Sequence, residues 1–442
     1  MRKIIAASAA LLLGMNSLPA QESVQEWSLA DCIEYALEHN LSVKQSGLNV
    51  EQQEIALNTA EGNRLPGFSG SAGQNFSFGR GLTADNTYAN TNTTSTSFSF
   101  GGDISIFNGN RIRNNIEMSK LDLAAATSDL AKAKDDIRVA VAQAYVQILY
   151  DMEIVEVAEN QVLTDSVQVV RLKEMAANGK ASRAEVSAQE ATLAQSSVSL
   201  TQAENSLSLA ILDMTQLLEL PSPEGFCIVR PSVEGLTAGL LMTPEAIFAE
   251  AVEIKPVIKS EEIRLDHAQK SIDLAKGSFL PSLSMSAGLG TNYYTSSGYD
   301  SNPFLTQLRN NFSQYIGLNL SVPIFSRFSN RNQLRSAQLS FQNQQIQLEN
   351  TKKQLFKEIQ QAYYNAVAAQ EKYNSCEVAA RSAQDAFELA QARYEGGKAG
   401  ITEYNEAKVR YVSAESNLVQ ARYESIYQSK LLDFYRGVDL VF

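Results

Sequence analysis

Histidine occurs twice, tryptophan once and cysteine three times in 442 residues. The cysteines Cys32, Cys227 and Cys376 lie far apart and are odd in number, so neither a disulfide framework nor a zinc spacing follows from them. His39 and His267 fall on separate helical stretches, and Met118, Met152, Met175 and Met214 are scattered, so no metal site or metal relay is expected. Nothing pairs a carboxylate with a nucleophile. Gly67, Gly70 and Gly73 lie in a strand pattern and open no helix, which excludes a phosphate loop. The chain is read as neither an enzyme nor a cofactor protein. A formal net charge of −12 makes nucleic acid an unsuitable partner. No stretch is apolar and long enough for a membrane-spanning helix, so entry into a bilayer would require strands closed into a barrel.

The first residues read as a targeting segment. Arg2 and Lys3 precede a short apolar run from Ile4 to Leu13, and Pro19-Ala20 suits cleavage after Ala20. Residues 1–20 are therefore expected to be a secretory signal peptide, and the absence of cysteine at the cleavage point argues against a lipid anchor there.

The remainder is one long unit written twice. Ala60, Gly62, Leu65, Pro66, Ser69, Ser71 and Gly73 return as Ala275, Gly277, Leu280, Pro281, Ser284, Ser286 and Gly288, an offset of 215 (281 − 66). Gly179-Lys180-Ala181 returns as Gly397-Lys398-Ala399, and Gln143-Ala144-Tyr145 as Gln361-Ala362-Tyr363, at an offset of 218 (397 − 179). Such periodicity outranks local signals. The first repeat is assigned to residues 21–230 and the second to 231–442.

Each repeat opens with two helices, Ser28–Asn40 and Ser42–Ala60 in the first. Their counterpart is Thr243–Ala275, where Pro256 forces a break. The period then changes to two. Strands are expected at about 66–79, 96–107, 280–293 and 312–325. Phe98, Phe100, Ile104 and Ile106 alternate with Ser97, Ser99, Asp103 and Ser105; Ile316, Leu318, Leu320, Val322 and Ile324 alternate with small or polar residues. An apolar face backed by a small polar one is the pattern of a membrane barrel strand, and also that of a half-buried strand in a soluble sheet. Arg80–Thr96 and Tyr294–Asn311 are expected to be exposed loops.

Helical hairpins follow at 111–220 and 329–436. Arg111 to Ala177 contains no proline or glycine. Ile116, Leu123, Leu130, Ile137 and Ala144 fall seven apart, as do Leu334, Phe341, Leu348, Leu355 and Ala362. A sustained heptad predicts left-handed coiled-coil packing, and such a helix is a rod of roughly 100 Å at about 1.5 Å per residue. The hairpins turn at Gly179-Lys180-Ala181-Ser182 and Gly397-Lys398-Ala399-Gly400. Glu224–Met242 is an irregular connector.

These features resemble the TolC-like outer-membrane efflux proteins. The likeness rests on Leu29–Asn40, on Leu65-Pro66 and Leu280-Pro281 entering strands, and on Pro323-Ile324-Phe325 leaving one. It rests also on Gly179–Ser182 with Glu185, and on Arg393-Tyr394-Glu395 followed by Gly396–Gly400. The resemblance implies a mostly α fold with a membrane β part in a Gram-negative outer membrane. A homotrimer would pool four strands per chain into a twelve-stranded barrel above an α-helical periplasmic tunnel. It implies the exit duct of a tripartite efflux pump or type I secretion system, partnered by a periplasmic adaptor protein, an inner-membrane transporter and outer-membrane lipid. The adaptor would dock on the two tips, with Lys180 and Lys398 as polar contacts. Glu403 and Glu406, with Glu185 as the repeat counterpart of Glu403, would form a carboxylate gate, and Tyr394 would help hold it closed. Phe68, Phe78, Phe98, Phe107 and Phe325 would lie at lipid interfaces. The alternative is a structural periplasmic coiled-coil protein without a channel, its strands forming a soluble cap.

Overall fold

The computed structural model describes residues 26–82, 86–231, 242–297 and 300–440. The expected signal peptide, residues 1–20, and most of the connector lie outside these residues. Helices α1 (Leu29–His39), α2 (Leu41–Gly62), α3 (Arg111–Ala177) and α4 (Arg183–Leu217) make the first copy. Helices α5 (Pro244–Ile254), α6 (Pro256–Gly277), α8 (Ser329–Glu395) and α9 (Ile401–Tyr435) make the second, and the short α7 (Phe304–Asn310) stands apart. The lengths match pair by pair at 11, 22, 67 and 35 residues.

Local chemistry fixes the helix ends. Ser28 and Asp31 form a capping box on α1. The breaks between α1 and α2 and between α5 and α6 both fall on an extended residue, Asn40 and Lys255. In each copy that residue's side chain reaches across to the end of the 35-residue helix: Asn40 Nδ2 donates to the Leu217 carbonyl at 3.0 Å, and Lys255 Nζ to the Phe434 carbonyl at 3.0 Å. Carbonyls left over at a helix end are thereby satisfied.

Strands β2 (Gly67–Leu82), β3 (Tyr88–Asn108), β5 (Ser282–Ser296) and β6 (Ser313–Ser321) form one antiparallel sheet in that order. β2 and β6 are its edge strands, and among the described residues the outer side of each has no strand partner. Across it, Phe100 faces Leu289, Met285 faces Leu318 and Leu283 faces Leu320, so the apolar set shares one face. Ile106 departs from the expected alternation. It sits in a register shift between Ser105 and Phe107, and Phe107 takes the place opposite Leu283.

Three strand limits differ from expectation. The segment from Tyr88 to Thr96, expected to be loop, is strand, paired with β2 out to Leu82 opposite Tyr88. Its Asn and Thr residues carry no apolar period, yet an extended partner supplies the hydrogen bonds. β6 stops at Ser321 rather than continuing to Phe325, because Pro323 has no N–H to donate. β5 runs on to Ser296 into the segment expected to be loop, which also holds α7, and it outlasts β6, which pairs only as far as Gly290. The edge beyond is covered from α7: Gln307 exchanges two 3.0 Å hydrogen bonds with the Tyr294 backbone, and Asn311 Nδ2 donates to the Asn292 carbonyl at 2.7 Å.

The largest core lies midway along the helices, where Cys32, Ala36, Val141, Tyr145, Ile148, Met214 and Leu218 are buried together. There β1 (Glu26–Trp27) pairs in parallel with β4 (Cys227–Ile228), so the start of the connector is a short ribbon strand. Tyr145 Oη donates to the Val229 carbonyl at 2.6 Å and ties α3 to that ribbon.

Candidate functional site: the hairpin tips

Both tips are built the same way. The helix ends on Asn178 or Gly396, and the next glycine turns left-handed, at φ 71° for Gly179 and 67° for Gly397. Lys180 N then donates to the Met175 carbonyl, and Lys398 N to that of Arg393, both at 2.8 Å. This closes a Schellman cap in which glycine meets no Cβ penalty. Lys180 and Lys398 are exposed. The returns differ. Ser182 caps α4 through a box with Glu185, whereas Gly400 offers α9 no side chain.

Glu185 is therefore engaged locally. Its carboxylate accepts from Ser182 N at 2.6 Å, and its own N–H donates to Ser182 Oγ at 3.2 Å. The backbone hydrogen bond, followed by the hydroxyl, holds its carboxyl below the usual glutamate value. Glu403, its repeat counterpart, accepts from Arg393 on the facing helix of the same hairpin. Glu406 is exposed, 3.9 Å from Arg410 one turn on. Tyr394 joins the hairpins: its ring stacks on Tyr404 at 5.2 Å, and the Arg171 guanidinium lies over it at 5.7 Å. Arg171 also sits 3.8 Å from Glu395, and Phe387 extends the aromatic group to Tyr404 and Tyr411. Burial pushes the Tyr394 and Tyr404 hydroxyls up, so both remain neutral hydrogen-bonding groups. Arg393 and Glu403 thus come together, Tyr394 joins Tyr404 and Arg171 and feels the Glu185 charge, and Glu406 stands separately.

Sequence reasoning missed a second cluster behind the tips. Asp165 on α3 is fully buried against Lys408 on α9, with Gln161, Gln189 and Ser196 around it. Among the described residues, His, Cys, Asp and Glu form no group able to hold a metal ion.

The family model described as outer membrane efflux protein matches residues 32–218 and 248–437, one match per copy. The chain belongs to that family. As a member of the outer membrane efflux proteins it is an outer-membrane protein, with its long helices on the periplasmic side. It is 24% identical to outer membrane protein TolC of Salmonella enteritidis over half of this chain and 44% of that protein, so it spans under half of that relative's length. It is 22% identical to the probable outer membrane lipoprotein SilC of Salmonella typhimurium, covering 93% of this chain and 88% of that protein. The crystal structure of CusC superposes with a TM-score of 0.77 at 17% identity, covering 92% of this chain and 91% of that one. The outer membrane protein VceC of Vibrio cholerae gives 0.74 at 20% identity, covering 92% and 96%. At these identities the likeness establishes the fold.

Proposed function

We propose that three copies of this chain form a passive outer-membrane duct, the exit channel of a tripartite efflux pump or type I secretion system. An adaptor protein docks on the tips at Gly179–Ser182 and Gly397–Gly400, and an inner-membrane transporter supplies the energy. Glu403 and Glu406 gate the narrow end.

The observation that carries this reading is a contact made in one direction only. Within the chain, α3 of the first copy packs on α6 of the second. Asp129 accepts from Ser260 Oγ and from Arg264 Nη2, both at 2.6 Å, and Gly109 abuts Gly277. The repeat turns these into contacts of α8 with α2: Gln347 with Gln45 and Asn49, Arg327 with Gly62. The chain does not supply them to itself. A Cβ on Gly62 would have nothing within 4 Å, and Leu41, Leu48 and Ile55 form an α2 stripe 63, 63 and 69% exposed. On α8, Leu339 and Ile346 are exposed at the same seven-residue spacing. A second copy meets both halves, and head-to-tail pairing of this kind generates a ring where its rotation closes.

The sheet agrees. Both edges present unpaired backbone, which lipid cannot satisfy, so copies must join edge to edge. Two copies would give about eight strands, a barrel filled by its own side chains; three leave a lumen.

The test is a cysteine pair, Asn49→Cys with Gln347→Cys, oxidised in membranes. The reading expects a covalent trimer on a denaturing gel and a conducting channel in planar bilayers. Only intramolecular cross-links, with the protein released by osmotic shock, would instead indicate a soluble periplasmic coiled-coil protein.

A further inference from the structure

Asp165 and Lys408 are 0% and 3% exposed, and Lys408 Nζ lies 2.7 Å from Asp165 Oδ1. The same oxygen accepts from Gln189 Nε2 at 2.9 Å, and Oδ2 accepts from Gln161 Nε2 at 2.8 Å and Ser196 Oγ at 2.6 Å. Asn405 Nδ2 donates to Gln189 Oε1 at 3.2 Å. Side chains of α3, α4 and α9 are thus gathered on one carboxylate, about 10 Å along α9 from its start at the tip.

The repeat shows that nothing in the architecture demands this. The counterparts of Asp165, Gln189 and Ser196 are Ala383, Ala407 and Ala414, and the counterpart of Lys408 is Glu190. The second hairpin packs with alanine where the first carries a polar cradle. The cradle is written in one copy and the cation that fills it in the other.

A buried ion pair adds little stability over apolar packing, but it is costly to separate and tolerates few alternative registers. Burial lowers the Lys408 pKa, so the charge is held by its partners and not by solvent. One turn away on the same two helices, the buried Gln168 side chain reaches the Tyr394 hydroxyl, and Asn405 Oδ1 has no hydrogen-bond partner among the described residues. Buried polar atoms left unpaired are costly, so the packing beside the ion pair is less tightly satisfied than the ion pair itself.

We infer that Asp165 and Lys408 form a latch between the two hairpins of one chain, holding α9, which carries Glu403 and Glu406, against α3 and α4. Release of the latch frees the tip end of α9 and widens the periplasmic opening. The latch stands on the geometry alone; the widening rests on the duct reading above.

Hydrogen exchange of residues 401–412 separates the two. In purified Lys408→Gln and Lys408→Met protein, exchange there rises by at least about tenfold, while Lys408→Arg stays near the native rate and the core around Tyr145 is unmoved. In planar bilayers, Lys408→Gln raises single-channel conductance, and an oxidised Gln189→Cys, Asn405→Cys pair in that background returns it to the native value. Unchanged exchange in both neutral variants overturns the latch, whatever the channel does. Faster exchange with unchanged conductance in a conducting protein overturns its coupling to the opening. A native protein that does not conduct counts against the duct, and the exchange result still decides the latch.

Discussion

Gly109 and Gly277 meet backbone to backbone: a Cβ on Gly109 would lie 2.3 Å from the Gly277 carbonyl oxygen, and one on Gly277 would lie 2.5 Å from that of Gly109. The turn into α3 is seated on the end of α6 through this contact, where strands give way to helices. Gly277→Ala should cost about 1–3 kcal/mol in denaturant unfolding, as overpacking does. Its repeat counterpart Gly62 is open within the chain, so Gly62→Ala should spare the isolated protomer and lower the temperature at which the assembled trimer dissociates.

The tip carboxylates are unequal. Glu403 is paired with Arg393, whereas Glu406 stands exposed with only a distant Arg410. Reversal potentials in a salt gradient should show cation selectivity falling more in Glu406→Ala than in Glu403→Ala, and rising in Arg393→Ala, which frees a carboxylate. No change in the Glu403→Ala, Glu406→Ala double variant would show that the charge ring lies elsewhere.

Glu185 makes the first tip sensitive to acid. Its carboxyl is held below the ordinary value of 4.5 by the Ser182 backbone and hydroxyl. A depressed folded value means the cap contributes fully above 4.5 and is lost as pH falls through the folded value. Hydrogen exchange at the start of α4, corrected for intrinsic rates, should therefore rise in acid in the native protein. In Glu185→Gln it should already be raised near neutrality and change less with pH.

Lys255 and Asn40 perform one task with different chemistry. Lys255 Nζ donates to the Phe434 carbonyl, lies 3.6 Å from Asp135 and sits 3.8 Å above the Phe434 ring. Lys255→Met should destabilise by about 1.5–3 kcal/mol, as loss of a charged hydrogen bond does, and Asn40→Ala by about 0.5–2 kcal/mol, as loss of a cap does. Urea unfolding of the two variants gives the comparison.

Much of this was legible in the chain because repetition amplifies weak signals. Leu-Pro at positions 65–66 means little alone; returning as Leu280-Pro281 it locates two strand entries. The long helices were readable from a heptad uninterrupted by glycine or proline, and the tips from Gly179 and Gly397. The upper half of β3 was not readable, since Asn and Thr carry no apolar alternation and its extension depends on β2 as partner. The latch was hidden for another reason: Asp165 and Lys408 are 243 residues apart, and no local pattern pairs them. A trace did exist. Asp165, Gln189 and Ser196 are where the first hairpin departs from the alanines of the second, so mismatches between copies were as informative as matches.

The two offsets, 215 before the strands and 218 after them, have their own corollary. Each of the four paired helices is held to the length of its twin, and the three-residue discrepancy is absorbed wholly within the hairpins of the sheet. New loops grafted between β2 and β3 should therefore leave the helical scaffold in register, whereas inserting a single residue in α3 or α8 would throw one rod out of step with its twin along its whole remaining length.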